Sequence, residues 1–271
     1  MTVEVITSQQ NRLVKQAIAL KQKKHRDELG LFVVEGVRLC EDFAASGWQG
    51  EVCMYTAQAA DNPRVKGLLA RLAETSCRLA EVPAVIYDKM TDTEQPQGIM
   101  ILAVKRRFTF ADLVPTSAAP LIAVLDGVQD PGNAGALIRA ADAAGASGVI
   151  LTRGSADVFA GKTVRATMGS LFHLPVLAGL DRGELLHALE AVSAPLVATA
   201  LEAATVYHSA PLTGPLAIAF GNEGAGMSSE LLAAAKFRIY IPIYGEAESL
   251  NVATAAAVVL FEAARQRRAN L

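Results

Sequence analysis

Three stretches of the chain combine glycines with polar side chains in ways that suit chemistry. They read "LDGVQDPGNAGALIRAADAAG" (125–145), "AFGNEGAGMSS" (219–229) and "IPIYGEAESLNV" (241–252). The second places Gly221, Gly224 and Gly226 straight after an apolar run, which invites a phosphate-loop reading. That reading fails on its own residues. A P-loop needs a lysine to meet the terminal phosphates, and a dinucleotide fingerprint needs Gly-x-Gly-x-x-Gly at the first strand of its unit. Here the spacing is Gly-x-x-Gly-x-Gly, no lysine follows, and Glu223 sits inside the loop, where it would repel a phosphate. In the first stretch Asn133 suits a helix N-cap. Arg139 is the one cation in a helix where Ala136, Leu137, Ile138, Ala140, Ala141, Ala143 and Ala144 surround it, so it lies either at an edge in solvent or aimed at a ligand. In the third stretch Ser249 or Asn251 could cap the last helix, which is alanine-rich in its first turns.

The elements that must carry these loops follow from apolar periodicity. "LIAVLDGV", "GVILT", "HLPVL", "LVATAL", "LAIAFG" and "RIYIPI" are nearly continuous apolar runs, as in strands covered on both faces. Helices are expected at 133–145, 160–171, 182–192, 228–235 and 250–268. This alternation predicts an open α/β sheet whose ligands bind at the carboxyl ends of the strands, and the three loops lie at such ends. Two tight alanine-rich helices in one domain suggest an unusually close internal or subunit contact. Upstream, "GLFVVEG", "GEVCMYTA", "CRLAEV" and "GIMILAVK" alternate with helical stretches and predict a small α/β domain with partly parallel pairing. "QNRLVKQAIALKQKK" reads as one leading helix. The expected division is 1–107, a Pro/Ser/Ala-rich linker at 108–119, and 120–271.

Composition excludes several classes. The 271 residues carry a formal net charge of −2, so no global charge points to nucleic acid. The distribution does: Arg12, Lys15, Lys21, Lys23, Lys24 and Arg26 stand between residues 11 and 26 with no acid, and Lys105, Arg106 and Arg107 form a second cluster. Such stretches attract phosphate. No apolar run reaches the roughly 18 residues of a membrane span, and the N-terminus lacks the pattern of a secretory signal. Three cysteines without metal spacing suggest reduced thiols, a cytoplasmic protein and no bound metal.

Taken together and in order, the three stretches resemble the three motifs of the SpoU (TrmH) branch of the SPOUT RNA methyltransferases. "LFVVEGVRLCEDFAASG" and "QPQGIMILAVKR" resemble that family's ribosomal-protein-like substrate-binding domain, and "ITSQQNRLVKQAIALKQKKHRDELG" resembles the basic leader of its ribosomal-RNA-directed members. The resemblance implies a methyl transfer from S-adenosylmethionine to a ribose 2′-hydroxyl of RNA, ribosomal RNA by preference. It implies a deep trefoil knot in the C-terminal domain, and a homodimer with its active site at the subunit boundary. By the same resemblance Asn133, Arg139, Glu223 and Asn251 are the catalytic positions. Thr199, Leu201, Gly221, Asn222, Gly226, Ile241, Ser249 and Leu250 would hold the cofactor. The nine cations named above would hold RNA. Glu223 and Asn251 would orient Arg139, which grips a phosphate beside the reacting ribose. The alternatives are a transfer-RNA methyltransferase, a non-catalytic RNA-binding protein of the same fold, and a nucleotide-dependent enzyme, the last disfavoured by Glu223.

Overall fold

The computed structural model describes residues 3–116, 118–200 and 205–268. The chain forms two compact units. One runs up to Arg106 and includes Phe159–Phe172; the other is Arg107–Val158 with the residues from His173 on.

The first unit is built on a five-stranded mixed sheet. Its strands are β1 (Glu4–Val5), β2 (Leu31–Glu35), β3 (Gly50–Tyr55), β4 (Arg78–Glu81) and β5 (Ile99–Val104), in spatial order β1-β4-β3-β5-β2. β4 pairs parallel with β1 and β3, whereas β5 runs antiparallel to β3 and β2. One core layer gathers Leu13, Val14 and Ala17 of the first helix onto Val52, Met54 and Leu102. The leading segment is two helices, Arg12–Ala19 and Lys23–Leu29, rather than one. The break is held by Arg26, which is 5% exposed and donates from Nη1 to the carbonyls of Leu20 (2.7 Å) and Lys21 (2.8 Å). Those are carbonyls that a continuous helix would have bonded to its own next turn.

Residues 159–172 lie between two strands of the second unit in sequence but pack in the first. Phe159 stacks at 4.8 Å from Phe32, and Phe172 lies 5.5 Å from both Phe43 and Trp48. The helix expected over 160–171 is the shorter Gly161–Thr167, ended by Met168 and Gly169 in left-handed conformations.

The second unit holds a seven-stranded, wholly parallel sheet: β6 (Leu121–Asp126), β7 (Gly148–Thr152), β8 (Val176–Leu180), β9 (Leu196–Thr199), β10 (Thr205–Val206), β11 (Leu216–Gly221) and β12 (Phe237–Tyr240). Their order is β10-β12-β9-β11-β6-β7-β8, so the chain steps from β6 outward through β7 and β8, then returns to the other side of β6. That reversal is where open α/β sheets leave a crevice. The Pro131–Ala144 and Val252–Arg268 helices lie along one another. Ala134, Gly135 and Ala141 of one, and Ala256, Val259 and Ala263 of the other, are buried, so the close contact foreseen for the two alanine-rich helices is, within this chain, a contact with each other. At 108–119 a short 3₁₀ turn, Phe110–Leu113, buries Leu113 against Gly148.

Candidate cofactor site and active site

β11 ends at Gly221, and the chain turns back on itself at once. Asn222 and Gly226 exchange two backbone hydrogen bonds of 2.9 and 3.0 Å, with Gly226 at φ +72°. A Cβ on Gly221 would stand 2.5 to 2.8 Å from the Gly226 and Met227 backbone, so only glycine fits. The Asn222 side chain organises the loop. Its Oδ1 accepts from the Gly224 and Ala225 amides, and its Nδ2 donates to the Gly127 carbonyl at 2.7 Å, tying the loop after β11 to the loop after β6. A second tie lies deeper. Asp126, 1% exposed at the end of β6, accepts from the Ser228 amide (2.8 Å), Arg182 Nε (2.8 Å) and Thr152 (3.1 Å). Burial pushes its carboxyl up, but the bonds from Ser228 and Arg182 outweigh that and hold it below the usual carboxylate range.

Three of the four expected catalytic side chains form one chain of hydrogen bonds. Asn251 Nδ2 donates to Asn133 Oδ1 at 2.8 Å, and Asn133 Nδ2 donates to Glu223 Oε1 at 2.9 Å. Glu223 also faces the amides of Gln129 and Asp130 at 3.3 and 3.4 Å. Partial burial raises the Glu223 carboxyl, yet Asn133 and these amides bring it below its ordinary value. It is therefore anionic at neutral pH. The helix caps explain the register. Asp130, not Asn133, caps the Pro131–Ala144 helix by accepting from the Asn133 amide at 2.9 Å, with Pro131 at the first helical position. The cap expected of Asn133 is thus filled by its neighbour, which leaves the Asn133 amide group to face Glu223. Asn251 does cap its helix: Oδ1 accepts from Ala253 (2.9 Å) and Thr254 (3.3 Å) while Nδ2 serves Asn133.

Arg139 is not part of this network. It is exposed and has no hydrogen-bond or ion-pair partner among the described residues, so the expected contact with Glu223 is not made within the chain. Helical spacing explains why: six residues separate it from Asn133, about 120° around the axis.

The loops enclose a cavity of about 870 Å³ at the carboxyl ends of β9, β11 and β12. Thr199, Gly221, Asn222, Gly226, Ile241, Ser249 and Leu250 all line it, together with Asn133, Glu223 and Asn251. Leu201 lies outside the described residues. Sequence reading missed Phe220, Arg238 and Tyr240, which also line the cavity; their place on β11 and β12, the strands whose carboxyl ends carry the loops, was the available signal. S-adenosylmethionine suits this lining. The volume is in the range of small-molecule sites, apolar walls from Ile239, Ile241, Leu250 and Val259 suit an adenosyl group, and anionic Glu223 suits a sulfonium cation better than a phosphate. Among the described residues no group of three or more His, Cys, Asp or Glu could hold a metal ion.

The cations foreseen for RNA divide into kinds. Arg26 is a correction: it is buried and holds the helix break, so it offers no charge to RNA. Lys21 pairs with Asp92 (2.8 Å), Lys23 with Asp27 (3.2 Å), Lys24 with Glu28 (3.8 Å) and Lys105 with Asp27 (2.7 Å), so the stretch is balanced by acids that lie just beyond it or come from elsewhere in the fold. Arg12 and Lys15 are exposed without a partner among the described residues. Arg106 and Arg107 are exposed as well.

A parallel α/β sheet with a cofactor-sized cavity at the carboxyl ends of its strands, an anionic loop and an amide–carboxylate relay defines a cofactor-binding α/β enzyme. Comparison makes this specific. Residues 120–261 match the model of the SpoU rRNA methylase family, and residues 11–101 match an MRM3-like substrate-binding domain. The chain is 35% identical to the 23S rRNA (guanosine(2553)-2′-O)-methyltransferase RlmP of Bacillus subtilis, over 94% of this chain and 97% of that one. It is 32% identical to a 23S rRNA (uridine(2479)-2′-O)-methyltransferase of Streptomyces viridochromogenes, over 97% and 92%. An AdoMet-bound rRNA methyltransferase from Sinorhizobium meliloti superposes with a TM-score of 0.87 at 36% identity, covering 97% of this chain and 98% of that one. The chain belongs to the SpoU rRNA methylase family.

Proposed function

We propose that this protein is an S-adenosylmethionine-dependent methyltransferase that modifies a ribose 2′-hydroxyl of ribosomal RNA. The observation that carries the reading is the Asn251–Asn133–Glu223 relay opening on the 870 Å³ cavity, within a chain of the SpoU family. When bound, S-adenosylmethionine supplies an electrophilic sulfonium methyl. Glu223 holds negative charge at the cavity wall, where it favours that cation. Asn133, fixed by accepting from Asn251 and donating to Glu223, presents a rigid polar edge to the acceptor ribose. Positioning of this kind contributes several kcal/mol to catalysis.

Arg139 completes the site from a second copy of the chain. Its exposure and the lack of a partner among the described residues support that assignment, as does the homodimer implied by family resemblance. A guanidinium stays protonated in proteins. Its role is therefore to grip a phosphate and stabilise charge developing on the ribose oxygen, rather than to remove the proton. The deep knot of the C-terminal domain, an RNA-gathering role for the first unit, and a cytoplasmic location beside the ribosomal RNA belong to the same reading.

The test is transfer of labelled methyl from S-adenosylmethionine to protein-free 23S rRNA by the purified protein. The expected product is one alkali-resistant dinucleotide, because a 2′-O-methyl group blocks cleavage at its own phosphodiester. Transfer to tRNA and not to rRNA would sink the ribosomal assignment.

A further inference from the structure

The first unit holds a cleft of its own, of about 240 Å³. Its floor is Glu35 at the end of β2, only 8% exposed, which accepts hydrogen bonds from Tyr87 (3.4 Å), Thr91 and Thr93 (3.1 Å). Beside it Gln97 Oε1 accepts from the Val37 amide at 2.7 Å, so the amide oxygen is committed and the NH₂ group remains to donate. Gly36, at φ +99°, makes room for this arrangement, since a Cβ there would stand 3.3 Å from Gln97 Oε1. Arg38 and Arg165 border the cleft, and neither side chain has a hydrogen-bond or ion-pair partner among the described residues. Met168, 39% exposed, adds an apolar surface.

Glu35 and Gln97 each serve the fold with part of their hydrogen-bonding capacity, whereas the two guanidiniums, without partners among the described residues, and the exposed Met168 are not needed by it. Glu35 offers an acceptor and Gln97 a donor to the same cleft, the two kinds of group that pair with the edge of a nucleobase. In a duplex that edge is hidden, while in single-stranded RNA it is open to proteins. The volume admits one base, not a helix.

We infer that this cleft holds one unpaired nucleotide of the substrate RNA, with Arg38 and Arg165 on its phosphates, Glu35 and Gln97 on its base edge and Met168 against its face. The inference rests on the proposed RNA substrate, but uses none of the cations of the leader.

The full-length protein, a labelled mixed-sequence RNA of about twelve nucleotides and 23S rRNA test it. Arg38→Ala with Arg165→Ala should weaken oligonucleotide binding, and raise KM for rRNA, by about tenfold or more. Single-turnover methyl transfer at saturating rRNA should stay within about twofold, with S-adenosylmethionine affinity and melting temperature unchanged. A 4-thiouridine version of the oligonucleotide should crosslink to residues 93–97 or to Met168. Unaltered RNA affinity and KM in the double variant, with crosslinks elsewhere and a wild-type protein that methylates rRNA, would overturn the cleft alone. A wild-type protein that binds S-adenosylmethionine but methylates no rRNA would overturn the functional reading and the cleft with it.

Discussion

The two units handle charge in opposite ways. In the second, Glu223 and Asp126 are each held by several donors at fixed distances, and Asn133 and Asn251 have both ends of their amides engaged. In the leader of the first, Lys23 and Lys24 lie on the surface beside Asp27 and Glu28, one helical turn away. Such exposed pairs contribute little to stability and exchange partners easily. A site that aligns a reacting atom gains from groups that cannot move. A surface that collects a polyanion gains from cations that can trade an acid for a phosphate. Arg139, Arg12 and Lys15 stand apart from both patterns, because they have no hydrogen-bond or ion-pair partner among the described residues.

The strongest way to break this contrast is at Arg139. Arg139→Ala should lower single-turnover methyl transfer about 10²- to 10³-fold and leave S-adenosylmethionine affinity intact by calorimetry. An unchanged rate at saturating RNA would remove it from the reaction. Mixing Arg139→Ala chains with Asn133→Ala chains should restore activity, because a mixed dimer has one site with both wild-type residues. Next comes Gly221→Ala. Its Cβ would collide with backbone, so overpacking should cost about 1–3 kcal/mol in a denaturant melt and abolish measurable cofactor binding.

Arg26→Ala sharpens the comparison from the other side. It strips donors from the Leu20 and Lys21 carbonyls and should destabilise the protein by about 1–3 kcal/mol, while the salt dependence of RNA binding stays as it was. A flatter salt slope without loss of stability would return Arg26 to the RNA surface. Glu223 tests the anionic wall. Its folded-state carboxyl lies below its ordinary value, so its charge, and the stability it contributes, are fully present above the unfolded value of about 4.3 and are lost as pH falls through the lowered one. Cofactor affinity should therefore be flat across neutral pH and fall only in acid, whereas Glu223→Gln should bind several-fold more weakly at pH 7 with no acid limb. The smallest effect belongs to Arg12→Ala with Lys15→Ala, which should reduce the salt slope of RNA binding by about 1 to 2 and leave cofactor affinity alone.

Much of the site was legible because its signals are local. The apolar run 216–220 ending in glycines names both a strand and the loop that must turn at its end, and Glu223 inside that loop argues against phosphate before any fold is known. Asn251 reads as a cap because capping depends on residues two and three positions ahead. The first unit was less legible. The leader looked like one helix because its periodicity continues past Leu20; Arg26 folding back on two carbonyls stops it. Its charge looked unbalanced because Asp92 approaches Lys21 from 71 residues away. Residues 159–172 read as part of the second domain by position, yet Phe159 and Phe172 find aromatic partners in the first unit.

The sequence by itself determined the longer strands, the glycine turn, the cap at Asn251 and the identity of the polar groups, since each depends on steric and hydrogen-bonding preferences over a few residues; the cap at Asp130 and the two-residue strands Glu4–Val5 and Thr205–Val206 were not read from it. Only the tertiary structure decided which polar groups meet. Asn133 in the first turn of its helix, Glu223 and Asn251 come together because parallel strands β6 and β11 end side by side and the last helix packs against the first of its unit. Arg139 is left outside that group because its turn of the helix faces away, a matter of angle around an axis that composition and spacing in the loops do not carry.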